Sequence, residues 1–342
     1  MSLNLSLPRE ERELLERQIL SPLASPAERS KGRARNETEC DVRTCYQRDI
    51  DRITYSKSFR RLKHKTQVFL QPEGDHYSTR LTHTLEVARI SRTIARALKL
   101  NEDLTEAVAL GHDLGHTPFG HAGESALDLI MSRDGKCYNH NDQSLRVVEK
   151  LERGGKGINL TYEVRNGIAC HTGKILPETP EAQVVRLADR IAYVNHDLDD
   201  AIRAGILCVS DIPPEIVCAF GITHPERVNV LVMDVISESG KKGEVGFSTA
   251  VSSAFDIFRN FMFENVYRNM KAKGEESKVY GILKGIYDYY IEHQDKLPEF
   301  YLQIASQDGL QRAVVDYVSG MTDKFAVDIY EKLFIPEAWQ VR

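Results

Sequence analysis

The 342-residue sequence contains no run of 18 uninterrupted apolar residues, so no segment reads as a transmembrane helix and no membrane association is expected. Its first stretch, MSLNLSLPREERELLERQIL, is charged from Arg9 onward and lacks the apolar block of a secretory signal. None of the six cysteines (Cys40, Cys45, Cys137, Cys170, Cys208, Cys218) belongs to a CxxC pair. Unpaired thiols suit a reducing compartment, and a cytoplasmic location is expected. Nothing repeats at a fixed period. A net charge of -5 argues against a general nucleic-acid-binding surface and leaves room only for local basic patches.

What is present is a largely helical pattern. Hydrophobic residues make up 42% of the chain, enough for a substantial core. Residues 21–44 (SPLASPAERSKGRARNETECDVRT) are rich in Ser, Pro and charge, and read as a mobile arm that orders on a partner or ligand. Ser78 or Thr79 can cap a helix running to about Leu98, with one apolar stripe at Leu81, Leu85 and Ala88 and another at Val87, Ile90, Ile94 and Leu98. Asn101, followed by Glu102 and Asp103, caps the next helix, whose Leu104, Ala107 and Val108 face inward. Thr117-Pro118 reads as a cap with proline at the first helical position. Further helices are expected from near Asn141 and over Glu181 to Ala204. Arg227 to Ser239 is rich in β-branched residues, yet Thr223 and Pro225 upstream favour a helix. The C-terminal third reads as helices over 252–270, 277–293 and 309–333. The expected architecture is all-α: an N-terminal helix and arm (1–45), a core (46–240) and a C-terminal helical extension (241–342).

The densest polar cluster is GHDLGHTPFGHAGE, Gly111 to Glu124. His112 continues the Leu104/Val108 stripe, and burying an imidazole without a partner costs roughly 1–3 kcal/mol. A lone histidine there is more often a core residue bonded to a backbone carbonyl. Here Asp113 adjoins it, and His83 likewise extends the Val87/Ile90/Ile94 stripe of its own helix. Farther on, Asp189, Tyr193 and Asp197 share one helix face, with Arg186 and Arg190 beside it, as a polar cavity wall would. For Asp199 and Asp200 a solvated charged face is the simpler expectation. Two imidazoles and two carboxylates would make a mixed nitrogen and oxygen site, suited to one divalent Mn, Fe, Co or Ni ion and tolerant of Mg.

The order His83, His112-Asp113, Asp189 resembles the H…HD…D signature of the HD phosphohydrolase superfamily. The blocks 46–69, 80–96, 111–124, 138–149, 187–201 and 316–326 are similar to those of its deoxyguanosinetriphosphate triphosphohydrolase-like (type 2) family. The resemblance implies an all-α HD-domain core and hydrolysis of dNTPs to deoxynucleoside and inorganic triphosphate. It implies His83, His112, Asp113 and Asp189 as metal ligands, and His121 with Glu124 as a catalytic pair. Phosphate contacts would come from His116, Arg80, Arg190 and His140, although Asn141 also suits a plain helix start. Gln67 and Val68 would pack under the sugar, and Tyr193 and Asp197 would contact it. A homo-oligomer, with a dNTP effector at subunit interfaces, is expected on the same ground. Other HD chemistries, such as a nucleotide 5′-phosphatase, a cyclic-nucleotide phosphodiesterase or a guanosine-tetraphosphate hydrolase, would fit a bare metal tetrad. A regulatory protein binding nucleotides or single strands through Arg29, Lys31, Arg33, Arg35 and Arg60, Arg61, Lys63, Lys65 is the alternative of another class.

Overall fold

The computed structural model describes residues 8–67, 78–268 and 270–336, with main chain only at 270–276. All its regular elements are helical, as expected, and extended pairing among the described residues is limited to two isolated bridges, Arg33 with Thr161 and Thr66 with Thr79. No helix among them is long and apolar enough to cross a membrane. By contact the chain forms two units, each gathered from separate stretches. The first holds residues 8–56, 82–112 and 158–268, and the second 57–67, 78–81, 113–157 and 270–336. The linear division into arm, core and extension follows chain order, whereas these units cut across it.

In the first unit, local capping sets where helices begin. Thr44 and Gln47 form a capping box that opens Cys45–Thr54. Asn101 accepts from the backbone of Asp103 and Leu104 and opens Glu102–Gly111. Thr179 and Pro180 open the 24-residue helix Pro180–Arg203. The uncertain 227–239 segment is helical, within His224–Lys242, because Thr223 and Glu226 close a capping box ahead of its apolar face. The helix Arg80–Ala97 buries Val87, Ala88, Ile90 and Ile94 but leaves Leu85 exposed, so one of the two expected stripes carries its packing. Helix Glu102–Gly111 packs tightly on Tyr162–Cys170, since a Cβ on Gly167 would lie 2.6 Å from Val108 and one on Gly111 2.7 Å from Ile168.

The polar stretch 21–44, expected as a mobile arm, is pinned to this unit. Ser25 N–H donates to Glu181, Ser30 and Lys31 donate to Glu163, and Arg33 pairs with the fully buried Asp49. The reason is electrostatic: buried carboxylates need donors, and a polar arm supplies them. Arg33 is therefore a structural cation rather than part of an open basic patch.

The second unit packs Gly120–Ser132 with Met270–Glu292, Leu310–Ser319 and Asp323–Phe334 around Leu127, Ile130, Leu283, Ile286, Val314 and Val318. The single helix expected over 309–333 is two helices, because Thr322 caps a new start after Gly320. Helix Glu299–Asp308 was not anticipated. Thr117-Pro118 does not open a helix as expected. The start falls at Gly120, after Phe119 in the left-handed region (φ 63°), and Asp323 accepts the Phe119 N–H at 2.9 Å. Lys65, expected on a basic patch, is buried and donates to the carbonyls of His116 and Ser319, and burial holds its pKa well below the usual lysine value.

His224 ties three helices of the first unit, with Nδ1 2.9 Å from Asp199 and Nε2 3.1 Å from Glu86. Its hydrogen bonds to Asp199 and then Glu86 raise its pKa from 6.5 to about 9. A raised folded pKa stabilises fully below the unfolded value of 6.5, and that contribution is lost as pH rises through about 9. With solvent screening, the loss should be on the order of 1–2 kcal/mol. Thermal unfolding of His224→Gln should show a flatter stability profile than wild type between those pH values; parallel profiles would contradict the assignment.

Candidate functional site

In the first unit, the two helices pressed together at Gly111 and Gly167 each run into a histidine. His112 Nδ1–H donates to the Ala109 carbonyl at 2.7 Å, and His171 Nδ1–H donates to Ile168 at 2.8 Å. Both bonds anchor the ring through Nδ1, and the two rings lie 5.0 Å apart. His83 stands on Arg80–Ala97 with its ring 5.6 Å from that of His112. Its Nδ1 is 3.0 Å from His196 Nε2, while His196 Nδ1 lies 2.8 Å from Asp197 Oδ1. Of His83 Nδ1 and His196 Nε2, one donates to the other, which fixes the orientation of the His83 ring.

The Nε2 atoms of His83 and His112 both face one carboxylate. Asp189 Oδ1 is 3.1 Å from His83 Nε2 and 3.9 Å from His112 Nε2. Burial opposes charge on Asp189, yet the His83 hydrogen bond and the nearby His112 and His171 hold its pKa below the usual carboxylate range. Two imidazoles fixed by their second nitrogens and an ionised carboxylate are the donor set of a transition-metal site. The residues present therefore fit a divalent cation.

The same helix carries the other expected residues of this unit. Tyr193 and Arg190 are partly buried. Asp197 is almost fully buried and accepts from the Tyr267 hydroxyl at 2.5 Å, so in this state it is held by protein donors. Asp199 and Asp200 are not the solvated face expected: Asp199 pairs with His224 and Arg227, and the buried Asp200 pairs with Arg203. A helix flanked by basic neighbours recruits them to its acids.

The second unit assembles a cluster around Glu124. His140 Nδ1 and its backbone N–H both lie 2.8 Å from Glu124 Oε1. His121 Nδ1 is 3.3 Å and His116 Nε2 3.9 Å from Glu124 Oε2. Burial opposes ionisation of Glu124, but the hydrogen bonds of His121 and His140 win and push its pKa far below the usual range. His116 is buried and stays neutral, because desolvation and then the Arg80 and His140 charges lower its pKa. A local device sets the cluster: a Cβ on Gly115 would fall 2.1 Å from the Ser144 nitrogen, so only glycine lets the turn after Asp113 touch the His140–Arg146 helix. Gly115 N–H donates to Ser144 Oγ and its carbonyl accepts from Tyr138, which stacks His116 on His140 at 4.8 Å. Arg80 is buried, with Nη1 2.6 Å from Asp113 Oδ2 and Nη2 3.4 Å from the Gln67 carbonyl. Gln67 is itself buried, and Val68 lies outside the described residues.

The sequence reading missed His171, His196 and Tyr267. His171 had a readable signal: it continues the Val164/Ile168 stripe as His112 continues Leu104/Val108. His196 falls seven residues after Asp189 on its helix, which was equally readable. Tyr267 carries no local signal, since its role depends on a tertiary contact.

Residues 80–194 match the HD domain family, and residues 245–332 match the phosphohydrolase-associated domain family. A deoxyguanosinetriphosphate triphosphohydrolase-like protein of Caldanaerobacter subterraneus is 52% identical over 331 residues, covering 97% of each chain. Proteins of the same name from Desulfatibacillum aliphaticivorans and Clostridium tetani are 48% and 44% identical. They cover 96% and 98% of this chain, and 98% and 99% of their own.

If the imidazole and carboxylate set holds a metal, His112→Ala or Asp189→Ala should lose one bound divalent ion relative to wild type while far-ultraviolet circular dichroism persists. Full metal content in either variant, measured by elemental analysis, would refute this donor set.

Proposed function

Because the chain belongs to the deoxyguanosinetriphosphate triphosphohydrolase-like family of HD-domain proteins, we propose that it is a metal-dependent hydrolase of deoxynucleoside triphosphates, releasing deoxynucleoside and inorganic triphosphate. The observation that carries this reading is the Glu124 cluster: three histidines of graded exposure around one ionised carboxylate, with Arg80 placed against Asp113. A bare metal phosphatase needs no such second group.

His83, His112, Asp113 and Asp189 would hold one divalent cation, of Mn, Mg, Fe, Co or Ni. When bound, that cation supplies positive charge at the α-phosphoryl oxygen and acidifies a coordinated water. Arg80, pre-oriented by Asp113, binds the α-phosphate through its guanidinium. His116, His140 and Arg190 take the remaining phosphate oxygens. Tyr193 and Asp197 hold the sugar, and Gln67 with Val68 packs beneath it, where a 2′-hydroxyl would crowd. Glu124 remains anionic and stabilises the His121 imidazolium, whose ring is mostly exposed and so open to substrate. A water attacks the α-phosphorus in line and loses a proton to solvent, its oxygen staying in the triphosphate. His121 donates its proton to O5′ as the bond from the α-phosphorus to O5′ breaks, a role worth typically ~10²–10⁴-fold.

The products of any accepted dNTP, separated by ion exchange, should be deoxynucleoside and triphosphate in equal amounts. His121→Ala should slow both by about 10²–10⁴-fold. Orthophosphate or pyrophosphate as the first product would mean that the chain is a different HD phosphohydrolase.

A further inference from the structure

His116 is 1% exposed, and neither of its ring nitrogens has a hydrogen-bond partner. A buried polar group left unsatisfied costs about 1–3 kcal/mol, so its retention calls for a physical reason. The nearest one lies in its neighbours. One donor atom each from His116, His121 and Glu124 falls within 4.8 Å of the other two. His121 Nδ1 and His116 Nε2 lie 3.3 and 3.9 Å from the same oxygen, Glu124 Oε2. Ligands about 2.0–2.1 Å from a tetrahedral zinc ion stand about 3.4 Å from one another. The observed separations bracket that edge without rearrangement of the helix.

We propose that His116, His121 and Glu124 form a second divalent-metal site, distinct in all its donors from His83, His112, Asp113 and Asp189, and suited to zinc. Two imidazoles and one carboxylate are a common zinc donor set, with water completing the fourth position. The supporting contacts are in place. His140 holds Glu124 Oε1 through both Nδ1 and its backbone N–H, which leaves Oε2 for the ion. His121 is 72% exposed at its side chain and provides the entry path, while His116 forms the buried floor. His121 and Glu124 lie on the first turn of Gly120–Ser132, one helical turn apart, so a single rotamer adjustment of His121 closes the set. Zinc bound here takes the Glu124 oxygen that steers His121, and fixes His121 itself. The site therefore makes zinc an inhibitor of the hydrolysis proposed above, a consequence that rests on that reading, while the binding itself does not.

The test is zinc binding to the metal-free full-length protein, followed by calorimetry and by elemental analysis after dialysis. Wild type should take two equivalents, His121→Ala one, Asp189→Ala one, and the double variant none. His64→Ala, which removes a surface histidine elsewhere, should keep both. His121 is exposed, so His121→Ala should retain the wild-type circular dichroism. A single equivalent in wild type, or two in His121→Ala, overturns the proposal. In enzyme whose first site is loaded with manganese, one equivalent of zinc should suppress dNTP turnover, and selective removal of that zinc should restore it. Loss of one equivalent in His121→Ala without dNTP hydrolysis under any metal would uphold the site and remove the proposed activity instead.

Discussion

Asp189 sets one carboxylate oxygen against two imidazoles, His83 and His112, in surroundings that oppose charge. The rest of the first unit's site is arranged to make that tolerable. His83 and His112 reach Asp189 only because each has its other nitrogen committed, one to His196 and one to a backbone carbonyl. The carbonyl, in turn, is where it is because Gly111 and Gly167 let two helices close to a distance that a methyl group would block. A buried carboxylate set among buried imidazoles is a poor device for stability, since apolar residues would pack there at lower cost. It is a good device for holding a cation.

The second unit repeats the logic with the balance reversed. Glu124 is one carboxylate served by three histidines, and the histidines differ in exposure: His116 buried, His140 largely so, His121 open. Their partners separate their chemistry: desolvation and then the Arg80 and His140 charges lower the pKa of His116, whereas for His140 the bond to Glu124 outweighs desolvation and raises it. Gly115 makes the cluster possible by letting the HD turn lie on the backbone of Ser144. Both histidine and carboxylate clusters thus depend on close approaches that only glycine permits.

Much of this was legible in the sequence. Periodicity and caps gave the helical class, and polar residues at the ends of apolar stripes singled out His83 and His112 before any resemblance was invoked. The same rule would have found His171, whose position after Val164 and Ile168 is equivalent. What stayed hidden was tertiary. Composition marks residues 21–44 as loose, yet their donors satisfy Glu163, Glu181 and Asp49, and those acids announce no need for partners in sequence. Lys65 likewise looks like a surface cation beside Arg60 and Arg61, while its ammonium is spent on two backbone carbonyls. Tyr267 reaches Asp197 from 70 residues away.

The central claim is that water attacks the α-phosphorus while His121 protonates the departing O5′. Hydrolysis of a dNTP in water enriched in oxygen-18, with mass analysis of both products, tests it most directly. The account predicts one heavy oxygen in the released triphosphate and none in the deoxynucleoside. Label in the deoxynucleoside would place cleavage between C5′ and O5′ and contradict it.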